Sequence, residues 1–505
     1  MQDSLFIKIL NAHLGRAKVS RVDHAELLSA KLGKKVLLKR EDTQICNSFK
    51  LRGSFNKAWH ISQGNPRAVF CCASAGNHAQ GVALAAQILG HRAVIVVPTI
   101  TPTIKLEAIK RLNATVLQKG ENFDQAYQYA CALSKKNRYA YIHPYDDELV
   151  IAGQGTVGLE IHQQIKDPLD TVFVPVGGGG LLTGVAVALN KLRPSTTIIA
   201  VEANDSAGYA SALKARKRIV LPSVGLFADG TAVKQVGRLA WKYAMPLVKN
   251  SITVTTDEIC SAIKILFEET RAMVEPAGAL SLAGLMKYYN KKHVKRPGAA
   301  LAIISGANLN FNQLRFISER TQVGERSEAI FAVTIPEKQG SFLRLARLLG
   351  KIKITECNYR YTGQKYARVF CGLEIDDSSK KFKELIKRLS HNDFQTNMLT
   401  DSDIAKTHVR YMVGGVSKVP ERVYRFEFPE KPGALLNFLT QIHAGGWNIS
   451  LFHYRNHGSD YGRVLCGFQG VENSNKFILS LGKLNLEAKD ITDELSYQLF
   501  LKSDH

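Results

Sequence analysis

Residues 170–182 read Asp170-Thr171-Val172-Phe173-Val174-Pro175-Val176-Gly177-Gly178-Gly179-Gly180-Leu181-Leu182. From Val172 the run is apolar without alternation, the pattern of a strand buried on both faces. Four glycines then lead into a second apolar segment with helical character. Lacking Cβ atoms, such a backbone can wrap a phosphate closely and aim several N–H groups at it. A flexible linker would not interrupt two strongly apolar elements. No Lys-Ser/Thr follows, so this is not a P-loop, and the spacing is not that of a G-x-G-x-x-G dinucleotide site.

Three more runs of the same kind surround this one. Residues 93–97 end at Pro98, residues 197–201 end at Glu202, and residues 299–304 end at Ser305. Helical patterns lie between them. Continuous apolar strands alternating with helices predict an α/β fold with a parallel sheet covered on both faces. Ligands of such sheets bind at the carboxyl ends of the strands. Polar motifs follow those ends. Ser74-Ala75-Gly76-Asn77-His78-Ala79-Gln80-Gly81 follows a strand over 68–73 and opens a small-residue helix near Gly81. Backbone N–H groups at such a helix start suit a carboxylate. Ser305-Gly306-Ala307-Asn308-Leu309-Asn310 follows the strand at 299–304. A serine there can meet the nitrogen of a pyridine-type cofactor without supplying a formal charge, a choice that favours elimination over transamination. The fourth motif is Asn47-Ser48-Phe49-Lys50-Leu51-Arg52-Gly53. Alone, its lysine would be an ordinary surface residue between an aromatic ring and a basic loop. The company of the other three motifs sets it apart.

The last third of the chain is built differently. Ile335-Pro336-Glu337-Lys338-Gln339-Gly340-Ser341-Phe342-Leu343 returns as Phe428-Pro429-Glu430-Lys431-Pro432-Gly433-Ala434-Leu435-Leu436. Asn358-Tyr359-Arg360 returns as His453-Tyr454-Arg455, and the strand from Tyr366 to Gly372 as that from Tyr461 to Gly467. The offset is 93 residues at the first block and 95 afterwards, so one copy carries two extra residues in its first helix. Each copy reads as strand, glycine turn, amphipathic helix, strand, turn, strand, helix, strand, the order of a small ferredoxin-like α+β unit. The boundary with the first part falls near residues 320–328.

Composition limits the alternatives. A chain of 505 residues predicts two to four domains at roughly 100–200 residues each. No apolar run approaches the roughly 18–20 residues that span a bilayer. The N-terminus carries charges within its apolar stretch and does not read as a signal peptide, so a cytoplasmic location is expected. The eight cysteines form no C-x-x-C pair and fit buried thiols in a reducing compartment. Among the fourteen histidines one H-x-x-x-H spacing occurs, His453 to His457, and no acid lies between the two, which argues against a metal-dependent hydrolase. A net charge of +23 raises the question of nucleic acid. The basic residues are spread along the chain, with short clusters only at 214–218 and 291–293 and no aromatic interleaving, so neither nucleic acid nor a membrane surface is expected as a partner.

Taken together, the S-F-K-x-R-G and S-A-G-N-H-A-Q-G strings, the glycine run and Ser305 resemble the pyridoxal-phosphate enzymes of the tryptophan-synthase-β type fold, and within them the threonine/serine dehydratases. The match covers roughly residues 1–325, with 50–150 forming a smaller parallel-sheet subdomain. The doubled part, 328–402 and 422–505, resembles the paired ACT-like regulatory domain of the biosynthetic members. The resemblance implies that Lys50 carries pyridoxal phosphate as a Schiff base and, once displaced, is the base at the substrate α-carbon. It implies that Asn77 meets the cofactor's 3′-oxygen, that Gly177, Gly178, Gly179, Gly180 and Leu181 hold its phosphate, that Ser305 meets the pyridine nitrogen and that Phe49 packs beside the ring. The turn Ser74, Ala75, Gly76, Asn77, His78 would bind the substrate carboxylate. The implied reaction is dehydration and deamination of L-threonine to 2-oxobutanoate and ammonia, and of L-serine to pyruvate, as the first step towards isoleucine. Isoleucine would inhibit and valine activate, with Tyr359, Tyr366, Tyr454 and Tyr461 as effector-pocket candidates and a homotetramer as the assembly.

Two departures refine this expectation. Related serine racemases have a serine where this chain has Ala75, so racemisation is not expected. Relatives that bind a divalent cation use acids after the strand at 197–201. Glu202 is present here, but the second acidic position is Gly208, so no divalent metal is expected, while a monovalent cation stays open. The lysine motif of cysteine synthases is absent. A cofactor-free amino-acid sensor would have no use for Lys50, the glycine run and Ser305 together.

Overall fold

The structure is a computed structural model. It describes residues 2–291, 297–311, 313–324, 328–361, 363–376, 378–402, 404–405, 409–412, 420–429, 433–455, 461–472, 474–481 and 488–502. The Glu430-Lys431-Pro432 part of the second repeat and Lys292-His293 of the second basic cluster lie outside the described residues. The chain divides into two compact units, Met1–Thr321 and Gln322–His505. No helix is long and apolar enough to cross a membrane among the described residues.

The first unit contains two sheets. The larger has six strands in the order Val22–His24, Val36–Arg40, Ala299–Ile304, Leu169–Pro175, Thr197–Ala203 and Asn250–Val254. All its pairings are parallel except the edge pairing of Val22–His24. The smaller sheet runs Thr115–Gln118, Arg92–Val97, Val69–Ala73 and Ala140–Tyr141, all parallel. Every residue of Ala299–Ile304 is buried, as a strand covered on both faces requires. This is the α/β architecture that the apolar runs predict. Helices pack so closely here that a side chain is excluded at some contacts. A Cβ on Gly153, in helix Glu148–Gln164, would lie 2.5 Å from the Arg52 carbonyl oxygen of helix Lys50–Gly64. That contact fixes the Lys50 helix against the long helix beside it.

The second unit is one eight-stranded antiparallel sheet. Its order is Gln395–Met398, Glu328–Pro336, Tyr366–Glu374, Ile354–Arg360, Asn448–Arg455, Tyr461–Gln469, Arg422–Pro429 and Ala488–Asp490. Each repeat supplies four strands in the same internal order. The repeats join through equivalent strands, with Asn358 opposite His453, its own counterpart. The first helices are Ser341–Leu349 with 9 residues and Ala434–Ala444 with 11, which accounts for the two-residue change of offset. Their apolar side chains form a single core with the sheet's inner face.

Buried ion pairs lie in the sheet as well, and they follow the repeat. Glu328 accepts from Thr355 and pairs with Arg410 at 3.5 Å, and Glu356 pairs with Arg410 at 2.9 Å. Glu421, the counterpart of Glu328, pairs with Arg360 at 2.9 Å and accepts from the Tyr497 hydroxyl at 2.8 Å.

Candidate active site

The four motifs of the first unit converge at the carboxyl ends of parallel strands. Ser48 bridges to Gly306, and the Phe49 N–H donates to the Ser305 carbonyl at 3.3 Å. Asn308 Nδ2 donates to Asn77 Oδ1 at 2.6 Å, so the turn after Ala299–Ile304 meets the turn after Val69–Ala73. Residues 144–146 close the ring. Lys50 Nζ donates to the Pro144 carbonyl at 3.0 Å. The Tyr145 ring lies so close to the glycine run that a Cβ on Gly178 would sit 2.2 Å from it. The Gly178 carbonyl accepts from the Gly237 N–H at 3.0 Å, and Asp146 accepts from the Leu239 N–H at 2.7 Å.

Lys50 is the first residue of helix Lys50–Gly64, not part of a basic loop, and both it and Phe49 are half-buried. Burial pushes its amine down to about 8, against the Coulombic pull of Glu275. Arg52, two residues on, is fully buried and wholly paired. It bonds Glu41 at 2.7 Å and Glu160 at 2.6 Å, while Lys39 holds Glu160 at 2.6 Å. Two cations and two anions balance there, and the network ties the Lys50 helix to strand Val36–Arg40 and helix Glu148–Gln164.

Helix Asn77–Leu89 begins four residues earlier than the small-residue run suggests, so Asn77 and His78 lie in its first turn. Ser74, Ala75, Gly76 and Asn77 are half-buried beside Lys50's helix, with Ser74 Oγ accepting from the Gly76 N–H at 3.3 Å. The His78 imidazole points inward. Its Nε2 contacts the Ile142 carbonyl at 2.9 Å and its Nδ1 contacts Ser54 Oγ at 3.3 Å. Burial holds it neutral, pulled down to about 3, with the Lys50 charge acting in the same direction. Any anion contact from His78 is therefore left to its backbone N–H. Ser305 is buried and its hydroxyl donates to the Ala277 carbonyl at 3.2 Å, which leaves its lone pairs to accept.

These groups suit pyridoxal phosphate. Helix Gly180–Leu192 has no acid in its first turn, its entry residue Gly179 is left-handed at φ 91°, and its first N–H groups lack intrahelical acceptors. Such N–H groups suit a phosphate. Asn77 Nδ2 spends one hydrogen on Glu275 at 2.6 Å and keeps a second. Sequence reading missed Glu275, Tyr145 and the linking role of Asn308. Glu275 had one signal, an isolated acid in the small, apolar stretch Met273-Val274-Glu275-Pro276-Ala277-Gly278.

Glu202 lies within strand Thr197–Ala203, which continues past the expected end, and accepts the N–H groups of Tyr209 at 2.7 Å and Ala210 at 2.8 Å, at the start of helix Gly208–Ala215. Among the described residues no group of three or more His, Cys, Asp or Glu could hold a metal ion. The described tyrosines of the second unit fall into two settings. Tyr359 stacks on Phe342 at 5.3 Å and, like Tyr454, belongs to the helix-side core. Tyr366 is half-exposed, opposite Pro336 at a strand end. The side chain of Tyr461 lies outside the described residues.

Comparison with known proteins adds to this geometry. Residues 18–306 match the family described as pyridoxal-phosphate dependent enzyme. Residues 319–409 and 413–501 each match the C-terminal regulatory domain of threonine dehydratase. The chain is 47% identical to the biosynthetic L-threonine dehydratase of Pasteurella multocida, over 96% of this chain and 94% of that one. It is 46% identical to the Escherichia coli enzyme over the same shares. Against the mitochondrial threonine dehydratase of Saccharomyces cerevisiae the identity is 42%, over 94% of this chain and 85% of that one. Among solved structures, the processed form of threonine deaminase isoform 2 from Solanum lycopersicum superposes with a TM-score of 0.62 at 40% identity. It covers 64% of this chain and 88% of that chain. Maize serine racemase gives 0.59 at 30% identity, over 62% and 95%.

Proposed function

The chain belongs to the pyridoxal-phosphate-dependent enzymes, as a biosynthetic L-threonine dehydratase with a C-terminal regulatory domain, and from that premise we propose how its residues divide the work. Lys50 is the attachment point and the base at the α-carbon of threonine. The observation that carries this is the convergence of Lys50, Asn77, Ser305 and the glycine-run helix at the strand ends. Pyridoxal phosphate, when bound, supplies an electron sink for the pair left at the α-carbon. Gly177, Gly178, Gly179, Gly180 and Leu181 hold its phosphate, Asn77 its 3′-oxygen, Ser305 its ring nitrogen, and Phe49 packs beside its ring.

An amine pushed down to about 8 is neutral often enough near neutral pH to remove a proton. Backbone N–H groups at the turn from Ser74 to His78 orient the substrate carboxylate. Ala75 offers no hydroxyl to return a proton to the opposite face, so the α-proton is not restored there. The β-hydroxyl leaves as water, and the enamine that is released hydrolyses to 2-oxobutanoate and ammonia. Serine, one methyl smaller, yields pyruvate by the same route. Eight cysteines without disulfides suit a reducing cytoplasm.

The residue 328–402 and 422–505 repeats bind isoleucine as inhibitor and valine as activator, in a homotetramer. Of the tyrosine candidates, Tyr366 has the exposure for direct effector contact, and Tyr359 and Tyr454 would act from within the core. The test is threonine deamination with and without isoleucine, repeated on a chain lacking residues 330–505. The full chain should form 2-oxobutanoate and lose activity when isoleucine is added. The truncated chain should be insensitive. Inhibition that survives truncation would place the effector site in the first unit.

A further inference from the structure

Glu275 stands just before helix Pro276–Lys291 and is 5% exposed. Its carboxyl accepts from Asn77 Nδ2 at 2.6 Å and from the Asn308 backbone N–H. Among the described residues no cation lies within ion-pair distance. The charged groups that act on it do so from further off: Lys50 on helix Lys50–Gly64, Lys105 on helix Thr103–Lys110 and Asp229 on the short helix Asp229–Thr231. A buried carboxyl without a cation is costly, so its place at the floor of the site calls for a use.

Asn77 supplies that use. The two ends of an asparagine amide have the same shape and opposite hydrogen-bonding character. Asn308 Nδ2 donates to Asn77 Oδ1 at 2.6 Å, and Glu275 accepts from Asn77 Nδ2. Only one orientation of the amide satisfies both neighbours. A flip would face oxygen with carboxylate and amine with amine. Space for the carboxyl is made by Gly306, where a Cβ would lie 2.3 Å from Glu275 Oε1.

We propose that Glu275 is a positioning residue that, with Asn308, locks the Asn77 amide with Nδ2 turned to the cofactor's 3′-oxygen. This rests on the reading of Asn77 as a cofactor-binding residue. Burial pushes the Glu275 carboxyl up to about 7, while the Asn77 bond favours its ionised form, so its charge changes within the working range of pH.

The test uses the full-length holoenzyme and two readouts besides turnover: the dissociation constant for pyridoxal phosphate, and the pH dependence of the visible absorption band. Glu275→Gln should raise the dissociation constant about tenfold, one charge-assisted hydrogen bond's worth. It should also move the band's midpoint, because the 3′-oxygen would lose a donor held in one orientation. Glu275→Asp keeps the charge and should recover most of both. Should Glu275→Gln not fold, Asn308→Ala releases the other end of the amide and should weaken cofactor binding in the same direction. A Glu275→Gln enzyme with wild-type affinity and an unchanged band overturns the proposal even if turnover falls, because that is the signature of a packing residue. If instead Asn77→Ala leaves both readouts at wild type, the underlying reading of Asn77 fails.

Discussion

Lys50 and Arg52 are separated by one residue on the first turn of the same helix, yet their surroundings are opposites. Arg52 faces backwards into a dry network in which Glu41 and Glu160 meet it with four hydrogen bonds and Lys39 completes the balance. Lys50 faces forwards to a carbonyl oxygen at 3.0 Å, and the nearest acid acts on it without contact. One charge is fixed and the other is left able to change. A rigid element carrying a group with a shifted pKa is what a catalytic amine needs, since geometry and proton affinity are then set by different neighbours.

The largest effect that would sharpen this contrast is loss of activity without loss of fold. Lys50→Ala should lower 2-oxobutanoate formation by about 10³-fold or more, the upper range for a positioned acid–base group. Its stability should not fall. Burial holds the native Lys50 amine below its ordinary value, so in the cofactor-free chain the protonated lysine opposes folding, most strongly at and below about pH 8. Removing it should leave the cofactor-free chain as stable or slightly more so, as read by urea unfolding at pH 7. Near-normal turnover would remove Lys50 from the chemistry.

Arg52→Ala should do the reverse. It strands two buried carboxylates, and breaking a buried ion network in this way costs about 3–5 kcal/mol. The check is denaturant unfolding of the full chain, followed by a signal from the first unit. A loss below about 1 kcal/mol would mean that the network merely accompanies the helix contact at Gly153, and the contrast with Lys50 would collapse.

The contrast also marks where the sequence was legible. Buried strands at 93–97, 172–176, 197–201 and 299–304 announce themselves because both faces are covered and the run is uniformly apolar. Three of them run into Pro98, Gly177 and Ser305, while the fourth passes through Glu202 to Ala203, so the site's location follows with the fold. The repeat is visible because its strands and turns keep the same residues, and even a two-residue change in helix length shifts the offset. Side-chain direction is not visible in the same way. His78 and Asn77 are neighbours in one motif, but one turns into the core and the other towards Glu275 and Asn308. Arg52 reads as part of a basic loop until Glu160, 108 residues away, is brought to it. Tyr359 and Tyr366 both recur as tyrosines in the second repeat, yet the first packs under a helix and the second is half-exposed at a strand end. The two-residue strand Ala140–Tyr141 and the edge strand Val22–His24 are too short to leave a pattern.

Glu202 offers the smallest and subtlest test. Like Glu275 it is a buried carboxyl with no cation in contact among the described residues, but it has backbone N–H groups in place of a side-chain clamp. Burial pushes it up to about 7 from an ordinary value near 4.5, and the N–H groups only partly offset that. Below about pH 4.5 both folded and unfolded chains hold the proton, and the group costs the fold nothing. As pH rises towards 7 the unfolded chain releases the proton first, so the folded state loses stability until the native carboxyl also ionises, and the penalty is constant above that. The full penalty is about 3 kcal/mol. Glu202→Gln cannot ionise, so its stability relative to the wild-type chain should improve between pH 5 and pH 8, as measured by urea midpoints across that range. A Glu202→Gln difference that stays flat with pH would mean that the three N–H groups from Gly208 to Ala210 hold Glu202 ionised at all working pH, as firmly as Arg52 holds Glu41. The division between fixed and changeable charges would then end at Lys50 and Glu275.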